Sequence, residues 1–158
     1  MHIYDAVMIF PEMSSSPHLI EEAGRTCLCR RVQRASRKVG RQFDDAFRPI
    51  GINNWQFTML MALAARASGT VNEIAADLGM DRTTTTKNLR PLERRGLVEI
   101  RIDDKDARVR RVSLTEAGDH LLAAALKEWR AVNDRIVATL TPPQLEALRT
   151  ALEAVAKS

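Results

Sequence analysis

The chain has 158 residues, 45% hydrophobic and 4% aromatic, enough for one packed core or two closely packed lobes. Ala, Leu, Arg and Glu abound while Gly and Pro are few, so the composition leans helical, and no apolar run reaches the roughly 18 residues of a membrane span. Net charge is +4 but uneven: residues 1–24 hold four acids and no Lys or Arg, residues 25–48 eight Lys and Arg against two acids, and residues 82–111 ten against five. Two basic blocks in an otherwise acidic chain suit a polyanion partner or, equally, solvated helix faces.

Residues 1–18, with "PEMSSSP" at 11–17, read as a flexible arm, without the basic stretch and long apolar core of a signal peptide. From Leu19 to about Phe47 the spacing of Leu28, Val32, Val39, Phe43 and Phe47 predicts a helix with arginines on its other faces. Cys27 and Cys29 are too few and too close for a disulfide framework, which fits a cytoplasmic protein. Pro49 and Gly51 end that helix, and Asn53 or Asn54 caps the next, whose buried side is expected at Trp55, Leu60, Leu63 and Ala64.

"NEIAADLG" predicts a short helix over 72–78, with Ile74, Ala75 and Leu78 on one side and Gly79 supplying a positive φ at its end. Asp81 caps a second, "RTTTTKNLRPLERRG", in which Leu89 and Leu92 face the core and Pro91 removes a hydrogen bond to Lys87, predicting a local kink. Two short amphipathic helices joined by three residues form a helix-turn-helix pattern, which an ordinary helical hairpin shares. "LVEIRI" (97–102) and "RRVSLT" (110–115) alternate as a half-buried hairpin does, with "DDKDARVRR" spanning the loop. Asp104 and Asp106 have a calcium-loop spacing, but the central Gly and terminal Glu of such a loop are missing.

Thr115 starts a long helix with a seam at Leu122, Leu126, Trp129, Ile136 and Leu140, where either Asn133 or Val132 fills one inward slot. "TPPQ" opens a last helix to about Ala156, with Leu145, Leu148 and Leu152 inward. Histidines at 2, 18 and 120 have no metal spacing, and no phosphate loop or nucleophile motif occurs, so neither an enzyme nor a cofactor or metal is expected.

"TVNEIAADLGMDRTTTTKNLRPLERRGLVEI" and "DDKDARVRRVSLTEAG", with long helices on both sides, resemble the MarR family of winged helix-turn-helix transcriptional regulators from about Leu19 onward. The resemblance implies a mostly α fold with a small β-hairpin wing (α+β). In it, 19–48 and 116–158 would form dimerisation helices and 53–115 the DNA-binding lobe of one 19–158 domain. It also implies a cytoplasmic homodimer on a pseudo-palindromic operator in double-stranded DNA, with the second short helix in the major groove and the hairpin tip near the minor groove.

Threonines are poor helix formers, but their hydroxyls and methyls suit phosphates and thymine methyl groups. Arg82, Thr83, Thr84, Thr86 and Lys87 are therefore candidate contacts, with Asn88 and Arg90 as extras. The family's Asp-Pro-x-Asp-Arg-Arg wing matches Asp103, Asp104, Lys105, Asp106, Ala107 and Arg108, with Asp104 replacing the proline and Ala107 the first arginine. By analogy Arg108 enters the minor groove and Asp106 orients it. Arg110 and Arg111 point to opposite faces of their strand, and Arg110 is the expected phosphate contact. Arg94 and Arg95 also suit the negative end of their helix.

Two modes of release follow from the resemblance. One is a small aromatic or other anionic effector bound between the dimer helices and the DNA-reading unit. The other is oxidation of Cys29, which falls where the peroxide-sensing branch carries its reactive cysteine, with Arg25, Arg30 and Arg31 nearby to lower its pKa. That branch uses tyrosines near the thiol, whereas the one tyrosine here is Tyr4. The reading from another class is a dimerisation or scaffold protein that binds no DNA.

Overall fold

The structure, a computed structural model, describes residues 16–66, 68–104 and 106–157. Residues 1–15 of the expected arm and Lys105 of the wing lie outside these. Contacts group the chain into two units, residues 1–37 and 38–158.

In the first unit the expected continuous helix is two. Helix α1 runs Pro17–Thr26, and α2 begins at Leu28 and extends to Phe47. The break is at Cys27, whose ψ of 109° leaves the helical region. Its sulfur instead accepts the Arg30 N–H at 3.4 Å, standing in as a weak cap for the new helix. Leu28 and Val32, on the expected apolar stripe, are exposed.

The second unit is built around the phenyl rings of Phe43, Phe47 and Phe57, with Phe47 and Phe57 centroids 4.7 Å apart. Past the 3₁₀ turn Arg48–Ile50, Gly51 takes φ +74°. Asn53 then caps α3 (Asn54–Ala64) through a reciprocal pair: its side chain accepts the Gln56 N–H, and Gln56 accepts that of Asn53. This start sets the phase of α3 so that Phe57, Leu60 and Leu63 are buried. Trp55, expected inside, is 54% exposed.

Strand β1 (Gly69–Thr70), not anticipated, leads into α4 (Val71–Asp77), where Thr70 and Glu73 cap one another in the same reciprocal way. Glu73 is held below the usual carboxylate range chiefly by the Thr70 backbone N–H. Gly79 at φ +60° makes the turn into α5 (Arg82–Arg94), and Gly96 at φ +67° the turn out of it. Leu89 and Leu92 are fully buried, each worth roughly 1.5–3 kcal/mol of transfer. Helix α5 is assigned without interruption through Pro91.

Strands β2 (Val98–Ile102) and β3 (Arg110–Leu114) pair antiparallel, Arg101 opposite Arg111 and Ile102 opposite Arg110. β1 adds to the far edge of β3, giving the order β1-β3-β2. Thr115 caps α6 (Glu116–Val137) by accepting the Gly118 N–H and donating to the Gly96 carbonyl, which fastens the hairpin base to the α6 start. In the α6 seam Val132 is buried and Asn133 half-buried, so valine fills the inward slot. In α7 (Pro142–Ala156) Leu145 is half-buried, but Leu148 and Leu152, expected inward, are exposed together with Val155.

Candidate nucleic-acid interface

Helix α5 is a sequence of poor helix formers held by its ends and one side. Asp81 accepts the Thr84 N–H at 2.8 Å on one carboxylate oxygen and the Thr84 hydroxyl at 2.7 Å on the other. These bonds, the hydroxyl first, hold the Asp81 carboxyl below its usual range. Thr85 is fully buried and donates to the Asp81 carbonyl at 2.9 Å. This residue was not anticipated, although its place four before Leu89 puts it on the same inward face.

The opposite face carries Arg82, Thr83, Thr86, Lys87 and Arg90, which line one shallow recess. Their spacing of one, three and four residues is that of neighbours on a helix surface. Thr84 and Asn88 are not among the residues lining it, and the Thr84 hydroxyl is occupied by the Asp81 cap. Among the described residues Arg82, Lys87 and Arg90 take part in no ion pair. Arg95 points back into the fold, donating to the Gly51 carbonyl at 2.6 Å.

The wing is organised by two carboxylates. Asp106 receives both arms of the Arg108 guanidinium, Nε on one oxygen and a terminal nitrogen on the other, each at 3.1 Å, and also the Arg108 backbone N–H at 2.9 Å. The Arg108 side chain is 90% exposed, so the fork fixes its root without covering it. The paired guanidinium holds Asp106 below the usual carboxylate range.

Asp103, whose side chain is only 9% exposed, accepts the Asp106 N–H and forms an ion pair with Arg111 Nε. Arg111 is thereby turned into the wing base and its pKa raised, first by that hydrogen bond. The Asp103–Arg111 pair is a further organising contact whose signal was the register: with Arg101 opposite Arg111, Asp103 is its diagonal neighbour on the same face.

Arg110 leaves on the other face and donates to the Ala107 carbonyl at 2.9 Å, bracing the tip while keeping its charge unpaired. The start of α4, the start of α5 and the wing meet at a second recess lined by Thr70, Asn72, Arg82, Arg108 and Arg110. Three arginines from separate segments thus converge, and such a notch attracts anions.

In the first unit Cys29 is exposed, and its sulfur accepts from the Gln33 side-chain amide at 3.3 Å. Arg30 and Arg31, expected beside the thiol, donate to the Gly24 and Arg25 carbonyls. Among the described residues no group of three His, Cys, Asp or Glu could hold a metal ion, and no helix is long and apolar enough to cross a membrane.

A family model described as "MarR family" matches residues 50–109, the segment from the 3₁₀ turn to the wing tip. The transcriptional repressor MprA of Escherichia coli K12 is 35% identical over 78 residues, 48% of this chain but only 44% of that protein, so the match spans less than half of that relative's length. Among solved structures, the Mycobacterium tuberculosis transcriptional regulator MosR in complex with DNA superposes with a TM-score of 0.76 at 34% identity, over 83% of this chain and 94% of that one. The transcriptional repressor CouR bound to a 23-mer DNA duplex gives 0.75 at 30% identity, over 82% and 92%. The α4–turn–α5 pair followed by a β2–β3 wing, matched along nearly the full length of MosR, places this chain in the MarR family.

Proposed function

We propose that this chain is a transcriptional repressor that binds a pseudo-palindromic operator as a homodimer and is released by a small aromatic or anionic effector. The observation that carries the reading is the α5 face of Arg82, Thr83, Thr86, Lys87 and Arg90 beside a wing tip whose Arg108 is held by Asp106. Unpaired cations around short polar side chains suit a major groove flanked by phosphates, and a rigidly rooted, exposed arginine suits the negative potential of a narrow minor groove. That MosR and CouR have been solved with DNA supports the same use of this fold here.

A homodimer is supported by apolar side chains that each unit leaves uncovered: Leu148, Leu152 and Val155 on α7, and Leu19, Ile20, Leu28 and Val32 on α1 and α2. Two copies place two α5 helices on major-groove faces one helical turn apart, and an effector that favours another spacing of those helices releases the DNA.

The test is fluorescence anisotropy at fixed salt, with the DNA upstream of the chain's own gene and scrambled DNA of equal length. Specific binding is expected, with Arg108→Ala weakening it while the sedimentation coefficient of the dimer is unchanged. Equal affinity for both DNAs would reject the regulator reading in favour of a dimerisation or scaffold protein, and an unaltered Arg108→Ala affinity would reject the wing assignment.

A further inference from the structure

The four threonines of α5 are not equivalent in hydrogen-bonding capacity. A threonine hydroxyl has one proton to donate. Thr84 gives its proton to Asp81, Thr85 to the Asp81 carbonyl, and Thr86 to the Arg82 carbonyl at 2.9 Å. Among the described residues the Thr83 hydroxyl makes no hydrogen bond. Thr86, half-buried, lies one turn after Arg82 and one turn before Arg90, between two cations that line the same recess.

With that bond to the Arg82 carbonyl kept, Thr86 presents outward a methyl group and an acceptor lone pair, and no donor. Phosphate oxygens, guanine N7 and O6, and thymine O4 all need a donor, so Thr86 is unsuited to them. The major-groove edge that offers both an apolar methyl and a hydrogen-bond donor is that of an A·T pair, through the thymine C5 methyl and adenine N6–H. Cytosine N4–H offers a donor without the methyl.

We propose that Thr86 is a specificity-determining residue that reads one A·T pair per half-site, with its side-chain methyl packed on the thymine methyl. Thr83, with its proton free, is left for a phosphate. The inference rests on the operator-binding reading above and adds to it a base identity at one position.

The full-length chain is used to select duplexes from a randomised DNA pool. In the selected duplex each thymine is then replaced in turn by deoxyuridine, which deletes only the C5 methyl. Affinities of the wild type, Thr86→Val and Thr86→Ser are compared at one salt concentration. Removing one buried methyl corresponds to about fourfold in affinity. The wild type and Thr86→Val, which keep a methyl, are expected to lose about fourfold per half-site at one thymine, and Thr86→Ser to be indifferent there.

A wild type that tolerates deoxyuridine at every thymine, or a Thr86→Ser variant as sensitive as the wild type, overturns the inference while operator binding stands. If no sequence is enriched from the pool, operator binding itself fails and the inference fails with it. A wild-type series with no sensitive thymine rejects the inference even where a variant is unstable.

Discussion

The charges of the DNA-facing side make the salt dependence of binding calculable. Among the described residues Arg82, Lys87, Arg90 and Arg110 take part in no ion pair, whereas Arg108 is paired with Asp106 and Arg111 with Asp103 at the wing base. Four free cations per protomer give at most about eight phosphates per dimer. At about 0.9 counterions released per phosphate, a plot of log affinity against log salt should have a slope near −7. Between 50 and 200 mM salt that is a loss on the order of 10⁴-fold.

Replacing one free cation by alanine removes it from both protomers, so Arg90→Ala or Arg110→Ala should flatten the slope by about 1.8. The double variant Asp103→Asn and Arg111→Gln is the control that depends on the structure. It removes the ion pair with no net change of charge, so affinity falls as the wing loosens while the slope should stay within about 0.5 of wild type. Fluorescence anisotropy with labelled operator over a salt series measures both quantities. A wild-type slope shallower than about −3 would refute the assignment of this face to DNA. Equal flattening by that double variant and by Arg110→Ala would refute the division of the two arginines.

Two further outcomes concern the scaffold. A Cβ added to Gly118 would lie 2.0 Å from the Leu97 carbonyl oxygen, which also accepts the Thr115 N–H, so Gly118→Ala must push α6 and the wing base apart. Overpacking of about 1–3 kcal/mol then exceeds the gain of up to roughly 1 kcal/mol in helix propensity, and urea unfolding should show net destabilisation; an equally or more stable variant would refute the contact. Asp81, Asp106 and Glu73 all have carboxyl groups held below their usual range. Their stabilisation is thus complete above roughly pH 5, where the unfolded chain is ionised too, and is lost as pH falls below about 4 through the lowered values. The urea midpoint should show that acid-side loss, smaller in the double variant Asp81→Asn and Asp106→Asn; a loss of undiminished size would count against these carboxylates.

Elements announced by local chemistry were legible in the sequence. Asn53, Asp81 and Thr115 mark helix starts through side chains that act within three residues, and Gly79 and Gly96 mark ends through a positive φ, so α3 to α7 fall where the sequence places them. Strand β1 was not, because two residues at Gly69 become a strand only through pairing with Val112, far along the chain. Trp55 lies outward, against expectation, because the Asn53 cap sets the helix phase and hands the inward position to Phe57. The leucines of α7 follow helical spacing, but spacing cannot say whether the same chain or a second copy covers them.

The threonine run shows how the reading helix separates stability from recognition. β-Branched residues are poor helix formers, so α5 needs other support. It comes from the Asp81 cap on Thr84, from Thr85 and the leucines on the inward side, and from the Leu97 N–H, which closes the last turn on the Leu92 carbonyl. None of these lies on the outer face. That face is therefore free to change its side chains, and so its base preference, without costing the helix its anchors. Residue types alone leave Thr83, Thr84 and Thr86 as equal candidates, since a sequence carries no proton direction. Once three of the protons are assigned to the helix itself, four similar residues resolve into a cap, a core contact, a donor and a methyl-bearing acceptor. In the proposed reading, discrimination along this helix depends less on how many hydroxyls it carries than on which of them still has a proton to give.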